Sequence, residues 1–357
     1  MSRPRILVMT AAGKTGSLIA AQLLAEGFPV TAFVRREDAR SARLRGLGAE
    51  VVAGSQSDLR DLRRAMSGVR RAYFNTPLEP GALRAAAAFA TVARETRLEA
   101  LVVMSQWLAS PTHPSVHTRE TWLADRLFAA LPGTAVTTLN PGFFADNDFA
   151  SLAFAAQFGV LMLPYGQGRN APPSNEDLAR VAAEILARPE AHAGRTYRPT
   201  GPVLRSPTEL AAALSTVLGR RVRYLDTPLR LFSKVARGMG QPDFVTAQYE
   251  QYAREYQRGT FALGAPTSVV RDITGRDAED FPQIARRYVQ APEAQRRLGT
   301  QVRLLLRAAV WMGRPAGSAA LHLALGDFAA ARPSLSADSA EWTGEHPPIR
   351  PVLLAGD

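Results

Sequence analysis

The residues of this chain best suited to chemistry stand close to its start. Thr10-Ala11-Ala12-Gly13-Lys14-Thr15-Gly16 follows directly on the apolar run Ile6-Leu7-Val8-Met9 and opens into a helix-like segment near Ser17. A strand, a turn of small residues and a helix N-terminus together make an anion site, because unpaired backbone N–H groups and the positive end of the helix dipole converge there. Gly13 lets the backbone approach a pyrophosphate, and Gly16 lets the helix pack closely on the sheet. Thr10 stands where the first of the usual three glycines would be, and Ala12, Lys14 and Thr15 complete the turn. Gly13-Lys14-Thr15 also has the form of the end of an NTPase phosphate loop. That loop requires a glycine five residues before Gly13, where Val8 sits inside the strand, so it is excluded.

The second site signal is Val34-Arg35-Arg36, at the end of the next apolar run. An acidic residue there would take the ribose hydroxyls of NAD, whereas arginine presents a planar fork of donors to the 2'-phosphate of NADP. NADP(H) is therefore the expected cofactor, with Arg35 and Arg36 as its phosphate partners. Glu37 and Asp38 follow, but past the strand end.

Around these signals the first 140 residues alternate short apolar runs with longer helical stretches, the rhythm of βαβ units and a parallel sheet. Strands are expected at 5–9, 30–34, 50–53, 71–74, 100–104 and 135–139, and helices at 17–26, 58–67, 81–96 and 118–131. Gly27 ends the first helix as a left-handed terminal residue would. The expected fold is α/β, a doubly wound parallel Rossmann-type sheet with a smaller, mostly helical C-terminal domain. Past residue 145 the rhythm changes. Ser174 begins a helix through Arg188, and Ser206, Pro207 and Glu209 form a helix start that runs to Gly219, followed by a short strand at 222–225. This gives a cofactor domain at 1–145 and a smaller substrate or partner domain at 146–292. A helical extension follows at 293–332, then a Pro-, Ser- and Gly-rich flexible tail at 333–357.

Composition excludes several classes. With 46% apolar and 21% charged residues the chain is globular, and with no cysteine it has neither disulfides nor thiolate chemistry. Its five histidines leave little for a metal site: His113 and His117 are four apart, but Pro114 between them breaks a shared helical face, and no metal is expected. The net charge of +11 comes from scattered arginines without a recognition-helix cluster, so no specific nucleic acid is expected as a partner. The start of the chain has no secretory pattern, and the long uncharged run at 149–168 is broken by Gln157, Gly159 and Pro164, which favours a short helix and a strand over a membrane span. A soluble, cytoplasmic protein is the reading, with a small-molecule substrate; a homodimer or a protein partner is left open.

Taken in order, these segments resemble the NmrA-like family of atypical short-chain dehydrogenases, which includes quinone and azo-compound reductases and catalytically silent redox sensors. The carriers are Ala11 to Gly16, Val34-Arg35-Arg36, Asn75-Thr76-Pro77 and Asn140-Pro141-Gly142-Phe143-Phe144-Ala145-Asp146-Asn147, then segments at 177–182, 197–202 and 270–275 ahead of Phe281. The resemblance covers residues 4–290. It implies that Asn75, Thr76 and Pro77 lie along the nicotinamide half of the cofactor and that Pro141, Phe143 and Phe144 floor the place where nicotinamide meets substrate. Ser105 closes the fifth strand on the same crevice. Two departures bear on the site: Ser55 stands where relatives commonly carry an aspartate beside the adenine, and Thr121 where they often carry a lysine.

The chemistry is narrowed by what is missing. Many short-chain dehydrogenases use a tyrosine four residues before a lysine as proton donor. Only Lys14 and Lys234 exist here, preceded at that spacing by Thr10 and Arg230. What remains is an NADPH-dependent reductase of a flat, electron-poor apolar acceptor of the quinone, enone, azo or imine type, with His117, Arg119 and Thr121 as the candidate residues beside the reaction. The alternative is a redox sensor that binds NADP(H) without turnover and signals to a protein partner.

Overall fold

The computed structural model describes residues 3–313 and 334–346. The strands among these residues are β1 (Arg5–Val8), β2 (Val30–Val34), β3 (Glu50–Ala53), β4 (Val69–Phe74), β5 (Ala100–Met104), β6 (Ala135–Leu139), β7 (Val160–Leu163), β8 (Thr196–Tyr197) and β9 (Arg223–Asp226). The helices are α1 (Lys14–Ala25), α2 (Ala39–Gly46), α3 (Leu59–Ala65), α4 (Ala82–Glu95), α5 (Val116–Ala129), α6 (Ala145–Asp148), α7 (Leu152–Phe158) and α8 (Asn175–Ala187). They continue with α9 (Pro207–Leu218), α10 (Leu229–Gly238), α11 (Asp243–Gln257), α12 (Val269–Thr274), α13 (Phe281–Tyr288), α14 (Leu298–Gly313) and α15 (Ala340–Glu345).

Seven strands form one parallel sheet in the order β3-β2-β1-β4-β5-β6-β8. The chain leaves β1 in one direction and returns on its other side as β4, so the crevice at the carboxyl ends of β1 and β4 is the topological switch point where such sheets bind ligands. Side chains of adjacent residues point to opposite faces of a strand. Ile6 and Val8 accordingly enter a core with Ile19 and Leu23 of α1 and Val181 and Ile185 of α8. Leu7 and Met9 enter the opposite core with Leu62, Phe89 and Phe128 of α3, α4 and α5. Burial on both faces is why these strands read as continuous apolar runs.

Beyond residue 145 the chain does two things at once. Helix α8 and the two-residue strand β8 return to the large sheet, while α6, α7, α9, α11 and α13 gather around a separate aromatic core with Phe143, Phe149, Tyr256, Phe261 and Phe281. Strands β7 and β9 pair in parallel as a small second sheet beside it.

Four strand expectations match residue for residue and the capping box at Ser206 and Glu209 is present. Helix α1 begins at Lys14 rather than Ser17, because Gly13 is already the N-cap. Helix α2 was not expected: only Ser41 and Leu44 are buried in it, so it has no apolar stripe, and Asp38 starts it through a capping box with Ser41. The sheet has seven strands rather than six, the extra one being too short to show a pattern.

The expected flexible tail is corrected over residues 334–346. This segment docks on the loop after β5: Ser336 donates its backbone N–H to Glu255 Oε1 at 2.5 Å and its hydroxyl to the Leu108 carbonyl at 3.0 Å. The Trp342 indole N–H donates to the Trp107 carbonyl at 2.8 Å and its ring stacks on His346. In the helical extension, Leu304 and Trp311 of α14 are buried, whereas Val302, Leu305, Leu306 and Val310 are exposed. The rest of the helical extension expected at 293–332, from residue 314 on, lies outside the described residues.

Trp342 is 2% exposed, so deleting its side chain leaves a cavity and the Trp107 carbonyl without its partner. Trp342→Ala should cost about 3 to 5 kcal/mol in urea unfolding. An unchanged unfolding midpoint would mean that the segment adds nothing to the core.

Candidate functional site

The loop after β1 is built by one close approach. Thr10 holds the left-handed conformation at φ 49°, which a glycine would adopt without strain. Its carbonyl accepts the Gly13 N–H at 2.8 Å, closing the turn. A Cβ on Gly16 would lie 2.6 Å from that same carbonyl oxygen, and one on Gly13 would lie 3.0 Å from it. Gly13 caps α1 without a side-chain hydrogen bond, so the first N–H groups of the helix are left for a ligand. A turn whose glycines bring bare backbone up to an uncapped helix fits a pyrophosphate.

Neighbouring side chains hold this turn. The Thr15 hydroxyl donates to Asn175 Oδ1 at 2.7 Å, tying the starts of α1 and α8. The Lys14 ammonium pairs with Asp146 of α6 at 2.6 Å, and the Tyr288 hydroxyl donates to the same carboxylate. Arg35 and Arg36 are exposed at the end of β2, with Arg35 3.8 Å from Glu79. Glu37 is paired with Arg45, and Asp38 with Arg40. Arg40 also brings its guanidinium to 3.5 Å from the Ala12 carbonyl, at the phosphate turn itself. Sequence reasoning passed over Arg40 because it lies inside a helix that had no apolar signature. Ser55 is exposed in the turn after β3, its N–H donating to Asp61.

At the carboxyl ends of β4, β5 and β6 lies a cavity of ≈ 650 Å³. It gathers Lys14, Asn75, Thr76, Pro77, Ser105, His117, Thr121, Pro141, Phe143 and Phe144 from the sequence-predicted set. Thr10, Ala12, Gly13, Thr15, Gly16, Arg35, Arg36 and Ser55 lie outside it, at the turn between β1 and α1 and at the ends of β2 and β3. Arg119 is not brought in: its guanidinium donates to the His113 carbonyl at 2.6 Å and braces the loop before α5. Thr121 lines the cavity while already bonded, donating to the His117 carbonyl and accepting from the Gln106 amide, both at 2.8 Å.

His117 is buried, and burial pushes its imidazole down to about 4, so the ring is neutral at pH 7. Two acids that sequence reasoning missed share its helix. Glu120 faces the cavity and accepts the backbone N–H groups of Ala82 and Leu83, at the start of α4. Asp125 faces it too, with Oδ2 2.5 Å from Ser105 Oγ and Oδ1 withdrawn from water. Burial pushes the Asp125 carboxyl up to about 7 against the lowering hydrogen bond from Ser105. His117, Thr121 and Asp125 fall four residues apart, on one face of a helix, and that spacing was the available signal. Tyr249 and Tyr252, which close the cavity from α11, carried no local signal at all.

A doubly wound sheet with a bare-backbone anion turn at its switch point defines a dinucleotide-binding framework. A model described as NAD(P)H-binding matches residues 10–189. The chain is 31% identical to NAD(P)H azoreductase of Xenophilus azovorans over 291 residues, 80% of this chain and 98% of that one. It is likewise 31% identical, over 80% of this chain and 98% of the other, to the (4-alkanoyl-5-oxo-2,5-dihydrofuran-3-yl)methyl phosphate reductase of Streptomyces griseus. The fold matches the NADPH-dependent quinone oxidoreductase QOR2 of Escherichia coli at a TM-score of 0.70 and 22% identity, covering 79% of this chain and 99% of that structure. The chain belongs to the NAD(P)H-binding family, in its NmrA-like branch of atypical short-chain dehydrogenases. It is an NAD(P)H-dependent oxidoreductase. Among the described residues no helix is long and apolar enough to cross a membrane, and no cluster could hold a metal ion.

Because the folded His117 ring stays neutral, it contributes stability above pH 6.5 that is lost as the pH falls from 6.5 toward about 4. Its ring proton resonances should titrate with a midpoint near 4. A midpoint near 6.5 would mean that water reaches the ring.

Proposed function

We propose that the protein is an NADPH-dependent reductase of flat, electron-poor acceptors of the quinone, enone, azo or imine type. The observation that carries this reading is the cavity wall: Trp107, Phe143, Phe144, Tyr249, Tyr252 and Phe261 line the same cavity as Asn75, Thr76 and Pro77. Planar rings are held by such faces through stacking and burial without matched polar partners. A reduced nicotinamide bound along Asn75 to Pro77 would supply hydride. In this reading Pro141 and Phe144 hold the acceptor against it, and the region 146–292 supplies the lid of aromatic residues that excludes water.

The proposed cofactor choice rests on the cationic arm. Gly13, Gly16 and the start of α1 hold the pyrophosphate, while Arg35, Arg36 and Arg40 surround the place where a 2'-phosphate leaves the ribose. Arg119 is a structural brace in this scheme, and Thr121 orients Gln106. The absence of a tyrosine–lysine pair is compatible with these acceptors because they take hydride without strong activation of an oxygen. The relatives named for azo and furanone reduction support the same class.

The test is oxidation of NADPH with a panel of quinones and azo dyes, followed by loss of the reduced-nicotinamide absorbance. Turnover proportional to enzyme is expected; binding without turnover on every acceptor would favour the sensor reading. In calorimetry, Arg35→Ala and Arg40→Ala should each weaken NADPH by about 1 to 3 kcal/mol while leaving NADH nearly unchanged. Equal losses for both cofactors would remove these arginines from the 2'-phosphate.

A further inference from the structure

Reduction of a quinone or azo bond needs a proton as well as a hydride, and the usual donor pair is missing. We infer that Asp125 and Ser105 form a two-step proton relay into the cavity, with Ser105 as the group that touches the acceptor and Asp125 as the positioning acid behind it. The inference rests on the reductase reading above.

The geometry around Ser105 Oγ leaves its hydroxyl proton one direction. Asn140 Nδ2 donates to Oγ at 3.3 Å and to the Gln106 carbonyl at 3.0 Å, which fixes the amide. Asp125 Oδ2 lies 2.5 Å away on another side. When Asp125 is a carboxylate it accepts the serine proton; when it is an acid it donates to Oγ. In the acid form both lone pairs of Oγ are taken, so the serine O–H is released toward the cavity that both residues line.

The other groups on the cavity are poorer acids. His117 is neutral at pH 7 and holds no acidic proton. Burial raises the Glu120 carboxyl as well, but it is turned to two backbone N–H groups of α4, which favour its ionised form, rather than to a hydroxyl on the cavity. Burial pushes the Tyr249 phenol up to about 12 and the Tyr252 phenol upward. Asp125 alone combines contact with a cavity-facing hydroxyl and an oxygen, Oδ1, that has no partner among the described residues. The charges facing it are Arg126 on its own helix, which lowers its pKa, and Glu345 of α15, which raises it. Glu345 is itself held by Arg126 and Arg198. Glu120 stands on the same helix and is offset by Arg119 and by Arg84 of α4.

A reduced nicotinamide held along Asn75, Thr76 and Pro77 would supply hydride to one atom of the acceptor's C=O, C=C or N=N unit, and the π electron pair would move onto the other atom. That atom takes the Ser105 hydroxyl proton while Ser105 Oγ takes the proton of the Asp125 carboxyl. The carboxylate left behind recovers a proton from water before the next turnover. A triarylmethane cation makes the control, because hydride at its central carbon completes the reduction without any proton.

The experiment compares a benzoquinone with a triarylmethane dye in wild type, Asp125→Asn and Ser105→Ala. In wild type, quinone turnover should fall as the pH rises through about 7, where Asp125 loses its proton, while dye turnover should not follow that limb. Each variant should lower the ratio of quinone to dye turnover by about a hundredfold, and Asp125→Asn should flatten the pH limb. A second readout needs no cofactor: in carboxyl-labelled protein, the aspartate signal absent from Asp125→Asn should titrate near 7. Ser105→Ala should move that midpoint upward, since the serine hydrogen bond lowers it. If Asp125→Asn fails to fold, Ser105→Ala carries the same ratio and titration tests. An unchanged ratio, or a carboxyl titrating near the ordinary value of about 4, overturns the relay and leaves the reductase reading standing. Absence of wild-type turnover with both acceptors overturns the two together.

Discussion

The constraint on which the rest of this structure depends is the approach of α1 to the turn before it. Gly16 sits so close to the Thr10 carbonyl that no side chain fits between them. That contact places the helix N-terminus directly at the end of β1, and Thr15 then joins it to the start of α8. Because α8 lies more than a hundred and fifty residues along the chain, this hydrogen bond orders the two chain regions against one sheet face. A left-handed Thr10 in a position suited to glycine is strain of about 1 to 3 kcal/mol, and the turn hydrogen bond from Gly13 helps to offset it.

The second organising effect is withdrawal of α5 from water. The helix presents His117, Thr121 and Asp125 along one face, and burial pushes the two ionisable groups toward their neutral forms: His117 loses its proton and Asp125 keeps one. The aromatic and neutral part of the cavity wall suits a planar ligand, while Lys14 and Asp146 pair with each other at its rim. The same physics makes it selective about protons, since only a carboxyl held near neutrality remains able to give one up.

The third is closure from a distance. His113, in the loop after β5, pairs with Glu255 of α11 at 3.0 Å, and Glu255 also receives the Ser336 N–H and the Thr260 hydroxyl. Those bonds connect the substrate-side loop, the helix carrying Tyr249 and Tyr252, and the C-terminal segment through one buried carboxylate. The arrangement explains why Arg119, an attractive catalytic candidate by type, is turned to the His113 carbonyl.

The sequence by itself determined the parallel sheet, since strands buried on both faces must be apolar throughout and their helices must be amphipathic. It also determined the phosphate turn and the cationic end of β2, because glycine at a close approach and arginine at a strand end act through local geometry. Helix α2 and strand β8 were not legible, the one lacking an apolar stripe and the other only two residues long. Tertiary structure alone decided which polar groups face the cavity. Asp125 and Ser105 are twenty residues apart and on different elements, and Tyr252 arrives from α11. It also decided that residues 334–346 dock, with Ser336, Trp342 and His346 buried: a single tryptophan in a serine-rich segment has no periodicity to announce it, and the carbonyl of Trp107 and the ring of His346 give it a place to pack.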